Sequence, residues 1–344
     1  MQRCLTIAAK GLGRVAPNPM VGCVIVYDDK IIAEGYHERY GGLHAEPNAI
    51  NQVSDDLLKK CTLYVTLEPC SHHGKTPPCA DLIISKGIKK VYVGNLDTNP
   101  LVAGKGIKKL QDAGIQVEYG VLNDACRELN KRFFTFHEKK RPYLILKWAQ
   151  TQDGFISRLP LPTNKEDNWI TSTESKQLVH TWRAQEQAIL VGYNTALTDN
   201  PLLTVRLANG KNPLRIIIDE QLQLPNHLHL FNTDAETIIF NATESKQQNN
   251  IHFIKIDFTN LIQKILSTLF AKNISSIIIE GGTKTIELFM KTNMWDEARV
   301  FINPVKEFKN GVKAPEININ KGLVKNVGSD NLHTIFNNSF YNTL

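Results

Sequence analysis

Apolar residues recur along this chain in two rhythms, and their alternation predicts the elements. Residues 2–12 carry apolar side chains at helical spacing and predict a helix. The Pro17-Asn18-Pro19 turn then leads into an apolar run over 21–27 that predicts a strand. Asp28-Asp29-Lys30 reads as a hairpin turn, with 31–36 pairing back. Residues 46–53 predict a short helix, 63–67 a strand of β-formers, and 80–86 a helix stopped by Gly87. A strand over 91–94, a helix over 105–113 ended by Gly114, a strand over 115–119 and a longer helix over 122–137 complete the first part.

A charged run, His137-Glu138-Lys139-Lys140-Arg141, ends in Pro142 and separates two apolar stretches. It predicts a boundary, with one domain over 1–138 and another over 143–344. Beyond it, strands are predicted at 143–149, 188–192, 214–218, 237–240, 276–280 and 299–302. Helices are predicted at 173–183, 259–272 and 283–291. Strands alternating with helices imply a mostly parallel sheet covered by helices, so both halves read as α/β. The polar stretch 243–250 reads as a mobile loop.

Composition narrows the picture. Of 344 residues, 42% are hydrophobic and 22% charged, enough apolar material for two cores. The formal charge of +6 comes from scattered basic residues, which suits an anionic small molecule and argues against nucleic acid. No apolar stretch is long enough to span a membrane, and the N-terminus lacks the pattern of a signal peptide. A cytoplasmic chain with reduced thiols is expected.

Of the six cysteines, only Cys70 and Cys79 sit in unusual local sequence. Together with His44 they supply one imidazole and two thiolates, the three protein ligands that a catalytic zinc takes beside a water. Glu46 lies two residues beyond the histidine and is placed to shuttle a proton rather than to ligate. His44 and Cys79 each precede a predicted helix, whose positive end favours a thiolate. A closed structural site with His72 or His73 as fourth ligand, a non-catalytic zinc-stabilised binding protein, or a metal-free cluster are the alternatives. His37 and His137 read as ordinary surface histidines. Lys75, in Gly74-Lys75-Thr76, is a candidate for a phosphate group, and Asn18 for hydrogen-bonding a ligand.

The His-x-Glu pattern with a Pro-Cys turn resembles the zinc-dependent nucleobase deaminases, although eight residues separate Cys70 from Cys79 where those enzymes have two. The stretch Glu68-Pro69-Cys70-Ser71-His72-His73-Gly74-Lys75-Thr76-Pro77-Pro78-Cys79 is similar to the bifunctional riboflavin-biosynthesis deaminase–reductases. So are Pro17-Asn18-Pro19-Met20-Val21-Gly22 and Asn99-Pro100-Leu101-Val102-Ala103-Gly104-Lys105-Gly106. The resemblance implies a cytidine-deaminase-like three-layer α/β/α domain followed by a dihydrofolate-reductase-like α/β domain. It implies one Zn2+ per chain and NADPH as cofactors. The substrate it implies is a phosphoribosylaminopyrimidine, deaminated and then reduced at its ribose. A homo-oligomer, dimer or tetramer, is implied as well. A deaminase of another cytidine-type nucleotide, or of an RNA base, beside a divergent second half is the competing reading.

In the second half no Gly-x-Gly-x-x-Gly follows a strand, so a Rossmann fingerprint is absent. Ile279-Glu280-Gly281-Gly282-Thr283 is a strand-to-helix glycine turn, able to offer backbone N–H groups to a phosphate. The same resemblance extends to Trp169-Ile170-Thr171-Ser172, Arg183-Ala184-Gln185 and Asp199-Asn200-Pro201-Leu202-Leu203-Thr204-Val205-Arg206. It implies that Ala149, Trp169, Thr195, Asp199, Gly282, Thr283, Lys284 and Thr285 face NADPH. It implies that Asp167, Arg183, Leu203, Arg206 and Glu280 face the substrate, the two arginines suiting a phosphate. Lys147 is a candidate for handling a proton.

Overall fold

The computed structural model, which describes residues 1–71, 77–98 and 104–337 apart from the Lys165 side chain, separates into two units, Met1–Arg141 and Pro142–Leu344.

The first unit is built on five strands, β1 (Gly22–Tyr27), β2 (Lys30–Tyr36), β3 (Thr62–Leu67), β4 (Lys90–Asn95) and β5 (Gln116–Tyr119), in the order β2-β1-β3-β4-β5. β1 runs antiparallel to β2 and β3, and β3, β4 and β5 are parallel. The β1–β2 turn places Asp28 and Asp29 at φ of 49° and 56°, a conformation that Asp tolerates and that matches the twist of a hairpin. Alternation along β1 assigns its faces. Cys23 and Ile25 join a core with Ala45, Ala49, Ala80, Ile83, Ile107 and Leu110 from three helices, while Val24 packs on Cys4 and Ile7 from helix Gln2–Ala8. Helices therefore cover both faces of the sheet.

The long helix expected over 122–137 is two helices, Asn123–Leu129 and Lys131–Lys139, broken at Asn130. The buried Asn130 amide is the reason. Its Oδ1 accepts from the Met20 N–H at 2.8 Å and its Nδ2 donates to the Met20 carbonyl at 2.9 Å, tying the proline turn to the helix pair. The first helix also shortens, passing into a 3-10 turn at Ala9–Gly11.

The second unit holds twelve described strands. These are β6 (Tyr143–Thr151), β7 (Phe155–Arg158), β8 (Ala188–Gly192), β9 (Leu214–Ile218), β10 (Thr237–Asn241), β11 (Lys246–Gln248), β12 (Ile251–Lys255), β13 (Ser276–Glu280), β14 (Glu297–Asn303), β15 (Gly311–Lys313), β16 (Leu323–Val327) and β17 (Asp330–Phe336). Ten form one sheet in the order β11-β12-β10-β9-β8-β13-β6-β14-β17-β16, and β7 pairs with β15. The seven strands from β12 to β14 are parallel, with antiparallel strands closing each end. Leu144, Leu146, Ile277 and Ile279 pack beneath helices Leu261–Ala271 and Thr283–Lys291. Tyr143, Ile145, Ile278 and Phe301 face helix Thr173–Gln185. The polar stretch over 243–250, expected as a loop, contains β11 paired antiparallel with β12; its side chains are all exposed, so polarity marked an outer edge strand.

Candidate active site

The C-terminal end of β3 delivers Glu68, Pro69 and Cys70, and two helices deliver the rest of the first cluster. His44 caps helix Ala45–Ile50, and Cys79 opens helix Cys79–Ser85. His44 Nδ1 lies 3.3 Å from Cys79 Sγ and 3.7 Å from Cys70 Sγ, and the three donor atoms all fall within 4.8 Å. Tetrahedral zinc with its usual bond lengths separates a nitrogen and a sulfur ligand by about 3.6 Å, so the spacing fits that metal. Among the described residues this is the one group of three such side chains.

Electrostatics in this pocket favour charge on sulfur. Cys70 is held down to about 4, first by the Cys79 thiol and then by His44 and the Cys79 N–H, which donates to its sulfur at 3.3 Å. Cys79 moves up because Cys70 and burial leave it as the proton holder of the pair. Glu46 is 3% exposed, and its carboxyl is pushed up to about 7, chiefly by burial and then by Cys70.

Asn18 and His37 form a second layer of this site. The His37 Nδ1–H donates to the Leu43 carbonyl at 2.9 Å, so Nε2 accepts from the Asn18 amide at 3.1 Å. The His37 ring meets the His44 ring edge-on at 5.5 Å. The expectation of a surface histidine is corrected here: His37 is 3% exposed, because it spans from the proline turn to the loop entering helix Ala45–Ile50. His137 is likewise half-buried, its ring against Phe133 and Phe136. Lys75, with His72 and His73, lies outside the described residues.

Sequence reasoning passed over Glu68. Its buried carboxylate accepts from four backbone N–H groups, those of Asp97 (3.2 Å), Gly104 (2.9 Å), Gly106 (2.8 Å) and Ile107 (3.2 Å). It thereby clamps the Cys70 turn to the loop and helix that follow β4. Gly106 is required at that contact, since a Cβ there would lie 1.9 Å from the Pro69 carbonyl oxygen. A glutamate directly before Pro-Cys was the available signal, but its partners are backbone groups far along the chain.

The second cluster lies where β6, β8 and β13 end. Register pairs Lys147 with Glu280, and the two side chains stand 3.9 Å apart, both largely buried. Arg183, from helix Thr173–Gln185, meets Glu280 at 2.8 Å and reaches the Thr204 carbonyl at 3.5 Å. These cations hold the Glu280 carboxyl down at about 2 despite its burial, and burial lowers Lys147. Arg206 Nη1 donates to Thr204 Oγ1 at 3.1 Å, so both guanidinium groups converge on one residue. Leu203 is buried beneath them at a φ of 53°.

The expected cofactor contacts fall on the same edge of the sheet. The N–H of Gly282 donates to Thr195 Oγ1 at 2.9 Å, and Thr285 packs where a Cβ on Gly192 would come within 2.3 Å of its hydroxyl. The Thr283 hydroxyl donates to the Lys313 carbonyl, and Lys284 is exposed at the start of helix Thr283–Lys291. Trp169 is 50% exposed but fixed, its Nε1 donating to the Thr171 carbonyl at 2.8 Å and Lys176 lying 4.6 Å from the ring centre. Asp199 ends helix Tyr193–Asp199, Ala149 lies near the end of β6, and Asp167 is exposed in the turn Lys165–Asn168. A helix N-terminus with nearby hydroxyls and a lysine suits a phosphate, and an open, immobilised indole suits a flat ring. These residues fit a dinucleotide.

Comparison with known proteins finds a separate match for each half of the chain. Residues 1–95 match the family model described as the cytidine and deoxycytidylate deaminase zinc-binding region, and residues 142–306 match the RibD C-terminal domain. The riboflavin biosynthesis protein RibD of Aquifex aeolicus is 41% identical over 346 residues, covering 96% of this chain and 95% of that one. That of Escherichia coli K12 is 35% identical, covering 88% and 86%. The crystal structure of a diaminohydroxyphosphoribosylaminopyrimidine deaminase/5-amino-6-(5-phosphoribosylamino)uracil reductase from Thermotoga maritima superposes with a TM-score of 0.86 at 38% identity, covering 98% of this chain and 97% of that one. RibD of Acinetobacter baumannii gives 0.84 at 30% identity, covering 97% of each chain.

Proposed function

Because the chain belongs to the RibD family of riboflavin biosynthesis, we propose that its two clusters act in turn on one phosphoribosylaminopyrimidine. It is a bifunctional enzyme, a zinc-dependent deaminase joined to an NADPH-dependent reductase, with a cytidine-deaminase-like first domain and a dihydrofolate-reductase-like second. The competing reading, a deaminase of another cytidine-type nucleotide or of RNA, is not favoured by a second half that matches the RibD C-terminal domain.

In our reading residues 1–138 carry the deaminase and residues 143–344 the reductase. His44, Cys70 and Cys79 hold zinc. When bound, the metal supplies the Lewis acidity that makes water a nucleophile near neutral pH. Glu46 takes a proton from the attacking water and passes it to the exocyclic amino group, so that a C–O bond forms at the ring carbon, its bond to the amino nitrogen breaks and ammonia leaves. Its burial keeps bulk water from competing for that proton. Asn18, oriented by His37, meets the pyrimidine edge, and Lys75 the ribose phosphate.

In the second domain Arg183 and Arg206 take the substrate phosphate, with Asp167, Leu203 and Glu280 completing its pocket. Ala149, Trp169, Thr195, Asp199, Gly282, Thr283, Lys284 and Thr285 orient NADPH. The cofactor supplies the hydride, delivered to C1 of the opened ribosyl imine. Lys147 handles the accompanying proton, kept in place by Glu280. The reading also includes a homo-oligomer in the cytoplasm. All six cysteines stand as free thiols, and no helix among the described residues is long and apolar enough to cross a membrane.

The observation that carries the deaminase assignment is one imidazole nitrogen within 3.7 Å of two sulfurs, with a buried carboxyl two residues away. Glu46→Gln should cut ammonia release by roughly 10²–10⁴-fold while NADPH oxidation on the already deaminated substrate continues. Deamination at the wild-type rate would show that Glu46 is not the shuttle.

A further inference from the structure

The residues 199–206 connect helix Tyr193–Asp199 to the arginine that converges with Arg183, and two of them hold strained backbone. Asn200 has φ of 41° and Leu203 φ of 53°. Left-handed backbone is unfavourable for a side chain such as that of Leu203, so the loop keeps this shape only if it is pinned. At its start, Asn200 Oδ1 accepts from the His229 N–H at 2.7 Å. Further along, the Val205 N–H donates to Asn212 Oδ1 at 2.8 Å. The last pin is His180. It is 2% exposed on helix Thr173–Gln185, one turn before Arg183, and its Nδ1 accepts from the Arg206 N–H at 3.0 Å. That bond fixes the tautomer, with the proton on Nε2.

His180 thus fastens the Arg206 backbone to the same helix that carries Arg183. Like charges facing each other repel, and Arg183 is among the groups that lower Arg206. Arg206 is exposed to water, so without a tether its loop is free to carry it away from Arg183. A neutral acceptor at 180 holds the second guanidinium beside the first without adding to the positive charge. Burial and the surrounding Arg183, Arg206 and Lys176 keep the imidazole neutral, with only Glu280 acting the other way.

We propose that His180 is a positioning residue for the reductase substrate, holding Arg206 next to Arg183 as a paired-guanidinium site for the ribose phosphate. The proposal rests on the assignment of those two arginines to the phosphate.

Asparagine is the informative replacement, because its Oδ1 sits where the imidazole Nδ1 sits and accepts the same N–H. Leucine fills similar space and accepts nothing. Reductase kinetics on 5-amino-6-(5-phosphoribosylamino)uracil with His180→Leu should show KM for that substrate raised about tenfold or more, with kcat and the KM for NADPH within about twofold of wild type, the pattern of lost uniform binding. His180→Asn should restore the KM. The deamination rate of the same protein reports whether the chain is otherwise intact, and His180→Ala replaces the leucine variant if that one does not fold. An unchanged KM in both His180→Leu and His180→Ala overturns the proposal, as does an asparagine variant as poor as the leucine one. An Arg206→Met variant with wild-type KM would remove the phosphate assignment beneath it, which is a separate failure.

Discussion

The two sites of this chain are electrostatic opposites. Around His44 the protein gathers two sulfurs and a buried carboxyl, with no lysine or arginine of the described residues among the groups that shift Cys70 or Glu46. Around Glu280 it gathers Lys147 and Arg183 against a single carboxylate, with Arg206 alongside. Burying like charge is costly unless a partner of opposite sign arrives. The first site is therefore complete only with a cation, and the second carries surplus positive charge that an anion neutralises. Each cluster states the sign of its ligand through what the protein leaves uncompensated.

The sharpest way to break that contrast is to remove the single carboxylate of the second site. Glu280→Gln leaves Lys147 and Arg183 facing each other, mostly buried, without their counter-ion. Losing one partner of a buried pair costs about 3–5 kcal/mol, so thermal unfolding of the second unit should fall steeply and reductase activity with it. The deaminase, in a separate unit with its own core, should keep its rate. A melting curve like that of wild type would mean the pair is far better solvated than its burial indicates.

A smaller effect sharpens the picture of the first site. Glu68→Gln preserves shape but replaces one acceptor oxygen by a donor that confronts backbone N–H groups. Leaving such buried groups unsatisfied costs about 1–3 kcal/mol. Because Glu68 adjoins the Cys70 turn, the loss should appear as faster removal of zinc by a chelator and a lower deamination rate, with the reductase unaffected. Zinc retention equal to wild type would show that the four N–H bonds support the fold but not the metal.

How much of this was legible in the sequence follows from the same contrast. His44, Glu46, Cys70 and Cys79 lie within 36 residues, and each owes its place to the end of a strand or the start of a helix, so spacing and residue type exposed them. The parallel core strands were equally readable, since β8, β9 and β13 each carry three or more successive apolar residues, at 188–191, 216–218 and 277–279. Lys147, Arg183, Arg206 and Glu280 are spread over more than a hundred residues, and only sheet register and a folded-over helix bring them together. Family resemblance, not pattern, pointed to them. His180 escaped altogether, and Glu68 stood in the quoted motif without a role, because their partners are backbone N–H groups, which leave no mark in a sequence. The helix break at Asn130 was missed for the same reason, since its partners are the Met20 backbone groups, whereas β11 was missed because an exposed polar edge strand has no apolar alternation to mark it.

The mildest expected effect concerns acid, and it tests whether the second site holds its surplus charge as described. His180 is lowered to about 4 from its usual 6.5, so the folded chain keeps it neutral where the unfolded chain has already taken up a proton. A depressed pKa of this kind contributes stability that is fully present above about pH 6.5 and is lost as pH falls toward 4. Glu280, held at about 2, adds a second loss between its usual 4.5 and 2. One proton limits the slope to about 1.4 kcal/mol per pH unit. In His180→Asn the first segment should flatten while the second remains, so the stability difference between variant and wild type should shift in favour of the variant on acidification from pH 6.5 to 4. Unfolding followed across that range decides the matter. A difference that stays constant with pH would mean that the imidazole is not held neutral by its burial and the neighbouring Arg183 and Arg206.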